Sequence, residues 1–209
     1  MSAAGAPAGP RSERKHAAIV VAATSVFLDR GYHGTSMDEV ARVATVSKQT
    51  VYKHFAGKKR LFEEVMLATS EPMHAALREA VHGAAGSGDL EADLRAYGRA
   101  LLREVLEPAV VRLRHIIVAE ADRFPDLAAS WHRQGPGRTV DDLATRFTAL
   151  TAAGRLNCPQ PRVAAEHFLW LLIAEPLVKS MFVPPPTRPT RVGARVDAAL
   201  HVFLAAYGP

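Results

Sequence analysis

Between Ser12 and Tyr207 the apolar residues return at intervals of three and four, and no run of alternating β-branched residues extends beyond a few positions. That is the period of a helix face, not of a strand. Alanine, the best helix former, supplies 37 of the 209 residues. The chain is therefore expected to be all-α. Its longest unbroken apolar runs, Ala17–Ala23 and Phe168–Ala174, have seven residues each. A membrane helix needs roughly 20, so no membrane span is expected. A single cysteine, Cys158, excludes a disulfide framework and a cysteine-rich zinc module. No cofactor and no metal site is expected.

Local signals divide the pattern into about nine helices. Residues 1–11, rich in small residues and proline, read as a disordered tail. A first helix runs from about Ser12 to Arg30 and breaks at Gly31-Tyr32-His33-Gly34. Ser36 caps a second, Met37–Ala44, with Glu39 completing a capping box. Ser47 caps a third, Lys48–His54, which Gly57 ends. Lys58 opens a long fourth helix reaching about Val81, followed by a glycine-rich break at Gly83–Gly88. A fifth runs from Asp89 to Leu106. Pro108, Pro125 and Pro161 each suit a first helical turn, where a missing N–H costs nothing. The Pro108 helix is expected to reach Arg123. The Pro125 helix is expected to be interrupted at Gly135-Pro136-Gly137 and to stop at Gly154. Pro176 is expected to kink 161–182. Pro184-Pro185-Pro186 reads as a rigid linker, with a last helix at about 189–207. Three units follow: the tail, a head at 12–57 and a bundle at 58–209.

Charge separates head from bundle. Residues 1–60 carry 10 Lys+Arg against 4 Asp+Glu and five of the six lysines, whereas the remainder carries 16 against 17. A basic block on an otherwise neutral chain points to a polyanion, either nucleic acid or an anionic membrane surface. Arg11, Arg14 and Lys15 before an uncharged stretch imitate a secretory signal. That stretch ends in Asp29-Arg30 with no small-residue cleavage site, and Val20, Ala23 and Phe27 keep helical spacing. A cytoplasmic protein is expected.

Three short helices with capped entries, inside the only basic segment, have the layout of a helix-turn-helix head. Ala41 is small where two helices must approach, while Val40, Val46, Val51 and Phe55 supply apolar contacts. Ser47, Lys48, Gln49, Thr50, Tyr52, Lys53 and His54 leave the third helix a polar, donor-rich face suited to a major groove. The segment Phe27–Phe62 resembles the DNA-binding head of the TetR family of bacterial repressors. The resemblance is carried by Arg30-Gly31-Tyr32, Gly34-Thr35-Ser36, Val46-Ser47-Lys48, Tyr52, His54-Phe55 and Lys58 with Leu61-Phe62. Glu120, Arg123-Phe124-Pro125, Leu127 and Gly154-Arg155-Leu156 further resemble the ligand-binding half of such regulators. One position departs: the turn carries Thr45 where these turns usually carry glycine. Either Thr45 keeps negative φ, or it stores strain of about 1–3 kcal/mol.

The resemblance implies that the third helix reads the major groove of a palindromic operator in double-stranded DNA. Lys48, Gln49 and Thr50 then reach base edges, Gln49 pairing adenine and Lys48 guanine. Tyr52, Lys53 and His54 suit phosphates, as do Thr35, Ser36 and Lys58 at helix N-termini, with Arg14 and Lys15 adding contacts. Tyr52 and His54 also suit packing against the fourth helix. The resemblance also implies dimerisation and effector binding by the bundle. Phe168–Ile173 is apolar on every face, which calls for a partner or a central core position; a homodimer through 161–182 and 189–207 is expected, a central helix of a monomeric bundle being the alternative. Leu102, Val105, Ile116, Trp131, Phe147 and Phe168, with His115 as polar handle, are candidate walls for a small, largely apolar effector. The alternative is an architectural or activating DNA-binding protein without small-molecule control. No H-E-x-x-H, G-x-S-x-G, P-loop or G-x-G-x-x-G occurs, so no enzyme is expected.

Overall fold

The structure, a computed structural model, describes residues 10–69, 88–183 and 191–209. It is all-α and divides into two compact units, Met1–Thr69 and Ser70–Pro209. Most of the tail, the far end of the fourth helix near Val81, most of the glycine-rich break, the triple-proline linker and Pro189 lie outside the described residues.

The first unit holds α1 (Pro10–Gly34), α2 (Met37–Val43), α3 (Lys48–His54) and the described part of α4 (58–69). Helix α1 starts at Pro10 rather than Ser12. Gly31, at φ 69°, kinks the chain, which resumes a helical course to Gly34. Ile19, Ala23, Phe27, Val40, Val51, Phe55, Leu61, Phe62 and Val65 form the buried core. Phe27 and Tyr32 pack on Phe62 with ring centroids 4.8 and 5.2 Å apart. Gly57 does not end α3, whose cap is Phe55. Instead the Gly57 carbonyl accepts from Leu61 N at 3.0 Å and begins α4.

Between α2 and α3 the chain closes a Schellman turn: Val46 N donates to Ala41 O at 3.0 Å and Thr45 N to Arg42 O at 3.3 Å. This motif needs a left-handed residue after the helix cap, and Thr45 supplies it at φ 54°. A β-branched residue there is strained, by about 1–2 kcal/mol relative to glycine. Thr45→Gly is therefore expected to stabilise the head by about 1 kcal/mol, net of glycine's extra chain entropy. An upward shift of the denaturation midpoint at unchanged slope checks this.

The second unit runs α5 (Leu90–Val105), α6 (Pro108–Ala119), α7 (Pro125–His132), a π turn (Arg133–Gly137), α8 (Arg138–Ala152), α9 (Pro161–Phe182) and α10 (Val192–Tyr207). Pro108, Pro125 and Pro161 all open their helices. Gly154, at φ 67°, closes α8 with its own Schellman pair, Arg155 N to Leu150 O and Gly154 N to Thr151 O. Helix α6 stops at Ala119, four residues earlier than the pattern implied. Phe124 precedes a proline and is forced out of the helical region, to φ −130° and ψ 63°. Pro176 lies inside a continuous α9.

Gly135-Pro136-Gly137 does not interrupt the rod. Arg138 N reaches back five residues to Arg133 O, and this wide turn makes room for a proline ring that would otherwise strike the carbonyl four residues before it. Glycine suits the position beside it, since a Cβ on Gly137 would sit 3.2 Å from His132 O, closer than an ordinary van der Waals contact. With α7, the π turn and α8 taken as one rod, the described residues form nine continuous helical segments along with α4. The core stacks Phe147, Phe168 and Phe203, with centroids 4.9–5.9 Å apart.

Candidate nucleic-acid interface

The geometry of α3 follows from its caps and one buried residue. Ser47 Oγ accepts from Thr50 N at 3.1 Å, which fixes where the helix starts. Val51, fully buried, fixes which side faces inward. Gln49 and Lys53 then point away from it, and with Tyr52 and Lys48 towards the flanks they form one exposed patch. Tyr52 leaves 48% of its surface open to solvent. Gln49 and Lys53 make no side-chain bond or ion pair among the described residues, so their polar groups are unspent.

The remaining candidates are more constrained. Lys48 Nζ pairs with Asp38 at 2.7 Å, and that hydrogen bond raises its pKa above the ordinary lysine value. Thr50 Oγ1 shares a 2.8 Å hydrogen bond with Ser47. Ser36 is exposed and accepts from Glu39 N at 3.1 Å. Thr35 faces inward: it is 3% exposed, and its hydroxyl donates to Gly31 O at 2.8 Å. Lys58 donates to His33 O at 3.2 Å and lies 4.6 Å over the Tyr32 ring. His54 is half-buried, edge-on to His16 at 5.8 Å. Burial, then the neighbouring His16, Lys53 and Lys15, push its pKa down and favour the neutral ring. Arg14 and Lys15 are exposed on α1.

Glu39 is the positioning residue that the capping-box reading assigned incompletely. Its carboxylate does not turn back to the cap. It binds Arg42 at 2.9 and 3.2 Å and Arg30 at 2.9 Å, joining α1 to α2. The Arg42 hydrogen bonds, aided by the Arg30 charge, hold its carboxyl below the usual carboxylate range. Asp38 was also missed: it aims Lys48 from a different helix, a contact that local sequence cannot carry.

Of the seven proposed effector residues, all in the second unit, four are in the core and three lie outside it. Leu102, Val105, Phe147 and Phe168 belong to one buried apolar cluster. Ile116 and Trp131 are half-buried, on α6 and α7. His115 Nε2 is 3.0 Å from Ser180 O on α9. Among the described residues no His, Cys, Asp and Glu group could hold a metal, and no helix is long and apolar enough to cross a membrane.

Residues 19–65 match the family described as bacterial regulatory proteins, tetR family. Residues 92–209 match the C-terminal domain of AefR-like transcriptional repressors. A curated HTH-type transcriptional repressor of Mycobacterium tuberculosis is 30% identical over 157 residues, covering 73% of this chain and 78% of that protein. The HTH-type transcriptional activator FasR of Mycolicibacterium smegmatis is 40% identical over 72 residues, and the match spans only about a third of either length (34% and 32%). Among solved structures, a TetR-family regulator of Mesorhizobium loti superposes with a TM-score of 0.90 at 35% identity, covering 96% of this chain and all of that one. The flavonoid-responsive regulator FrrA superposes at 0.78 with 31% identity, covering 94% and 98%.

Proposed function

The chain belongs to the TetR family of bacterial transcriptional regulators, and from that premise we propose a dimeric repressor that a small, largely apolar effector releases from a palindromic operator. It is a sequence-specific, DNA-binding helix-turn-helix regulator, and not an enzyme. It works where its DNA is, in the cytoplasm. One observation carries the DNA side of the proposal: the unspent, exposed patch of Gln49, Tyr52 and Lys53 beside Lys48 on a doubly capped α3. Repression is favoured over activation because the repressor-type C-terminal match spans 92–209, whereas the likeness to FasR is confined to 72 residues.

Dimerisation through α9 and α10 is supported by what α9 leaves uncovered. Phe168, Leu169, Leu172 and Ile173 face the core, but Trp170, Val178 and Met181 are 47–52% exposed along one side, and Phe182 is 81% exposed. Two copies related by a twofold axis would cover this stripe. Recognition helices about 34–36 Å apart would then enter successive major grooves. An effector in the bundle acts by favouring one spacing of the two heads over another.

Selection from random duplexes tests this directly and should return an inverted repeat. On that operator, Gln49→Ala is expected to relax one base position per half-site, at a cost of about 1–3 kcal/mol there. Lys53→Ala should instead weaken every duplex alike and reduce the salt slope by about 1 for each phosphate left without its cation. Lys53 is the cleaner choice, since Lys58 also holds the His33 carbonyl. Identical profiles for both variants across mismatched operators would refute the separation of reading from positioning.

A further inference from the structure

Helix α6 turns two successive polar side chains onto its neighbours. His115 is engaged with Ser180 O on α9, and Arg114 reaches the C-terminal end of α5, where Nη2 donates to Val105 O at 3.1 Å. Arg114 lies on the inward stripe of α6 with Val110, Val111, Leu113 and Ile117, all buried, and is itself 8% exposed. Its other terminal nitrogen, Nη1, is shut off from solvent and has no hydrogen-bond partner. No carboxylate pairs with this guanidinium among the described residues. Glu104 and Glu107 flank Val105 in sequence, yet the cation acting on Glu104 is Arg103. Burial pushes the Arg114 pKa down to about 10, so the group remains charged at neutral pH.

A buried charge with a free donor arm and no counterion is unfavourable in the protein alone and becomes favourable only when an anion arrives. We propose that Arg114 is the anchor for an anionic effector, a small apolar molecule bearing a carboxylate, held with its carboxylate on Nη1 and its apolar body beside Leu102 and Val105. The proposal rests on the small-molecule control proposed above and specifies its chemistry. A neutral carbonyl would satisfy the donor but leave the charge uncompensated; a carboxylate does both. His115 is the weaker handle, because its Nε2 is already committed to Ser180 O.

Calorimetry on the full chain with 4-phenylbutanoate and octanoate, each against its primary amide, tests the assignment. The acids are expected to bind about 10–100-fold more tightly than the isosteric amides, the usual advantage of a charged hydrogen bond. Arg114→Met should remove that ratio while leaving amide affinity within a few-fold. Arg114→Lys, which keeps the charge without the planar fork, should leave an intermediate ratio and carries the test if the Met variant does not fold. A purely structural role, capping Val105 O, would change acid and amide affinity together and leave the ratio intact, which overturns the proposal. Equal affinities for acid and amide in the unaltered protein, or no binding of either up to solubility, overturn it as well. Small-molecule control is read separately: release of the operator by neutral apolar compounds would uphold control while the anion assignment fails.

Discussion

Raising salt from 50 to 200 mM is expected to weaken operator binding by about 10³–10⁵-fold, for roughly six to ten phosphate contacts per dimer. The expectation rests on where the cations are and what occupies them. The first 60 residues hold 10 Lys+Arg against 4 Asp+Glu. Several of these are paired within the head: Arg30 and Arg42 with Glu39, Lys48 with Asp38, and Arg60 with Glu63 and Glu64. Lys15, Lys53 and Lys59 are exposed with no ion pair among the described residues. With Arg14 and a released Lys48 these give about three to five phosphates per head. The Lys48–Asp38 pair is solvent-exposed and screened, so a phosphate can displace Asp38 at little cost. Anisotropy titrations of labelled operator at several salt concentrations give the slope of log K against log salt. A slope near zero would remove the phosphate assignments altogether.

The second large effect is expected at the uncovered side of α9. Trp170→Glu should raise the dimer dissociation constant about 10³-fold. An aromatic anchor at an interface is worth about 2 kcal/mol, and a twofold contact presents it twice, giving about 4 kcal/mol, or three decades. The two new carboxylates would also face each other across the axis. Trp170 is half-exposed in the chain, so the fold should persist with unchanged helicity. Sedimentation equilibrium reads the dissociation constant, and operator affinity should fall in parallel. A dimer of unchanged strength would place the interface elsewhere.

Much of the head was legible because its determinants are local. Ser36 and Ser47 cap helices whose first residues, Met37 and Lys48, match the expected ones. A cap is a bond between residues three apart, visible in any short window. The same holds for the three prolines that open α6, α7 and α9. What was missed is tertiary. Glu39 has the spacing of a capping box, but two arginines, one from α1, draw its carboxylate away. Asp38 and Lys48 meet only because α2 and α3 fold against each other. Gly-Pro-Gly reads as a break in every short window, yet α8 packs closely on α9 and its continuity survives. Arg114 did leave a signal, a charge on the same stripe as Val110 and Ile117. The carboxylate that should have paired with it is not found among the described residues.

The wide turn at 133–137 has a bearing on how homologous chains of unequal length should be aligned. It holds one residue more than an α-turn in the same axial distance, and each residue advances the screw by about 100°. Residues on its two sides therefore cannot be assigned to a common face by counting in steps of three and four across it. Leu127 before the turn packs within α7, which neighbours α6, whereas Val140, Leu143 and Phe147 after it serve α8 against α9. Losing a single residue here is not the trimming of a connector. It rotates one half of a rod against the other, and the ring of Phe147 would turn away from Phe168 and Phe203 although no residue that touches them had changed.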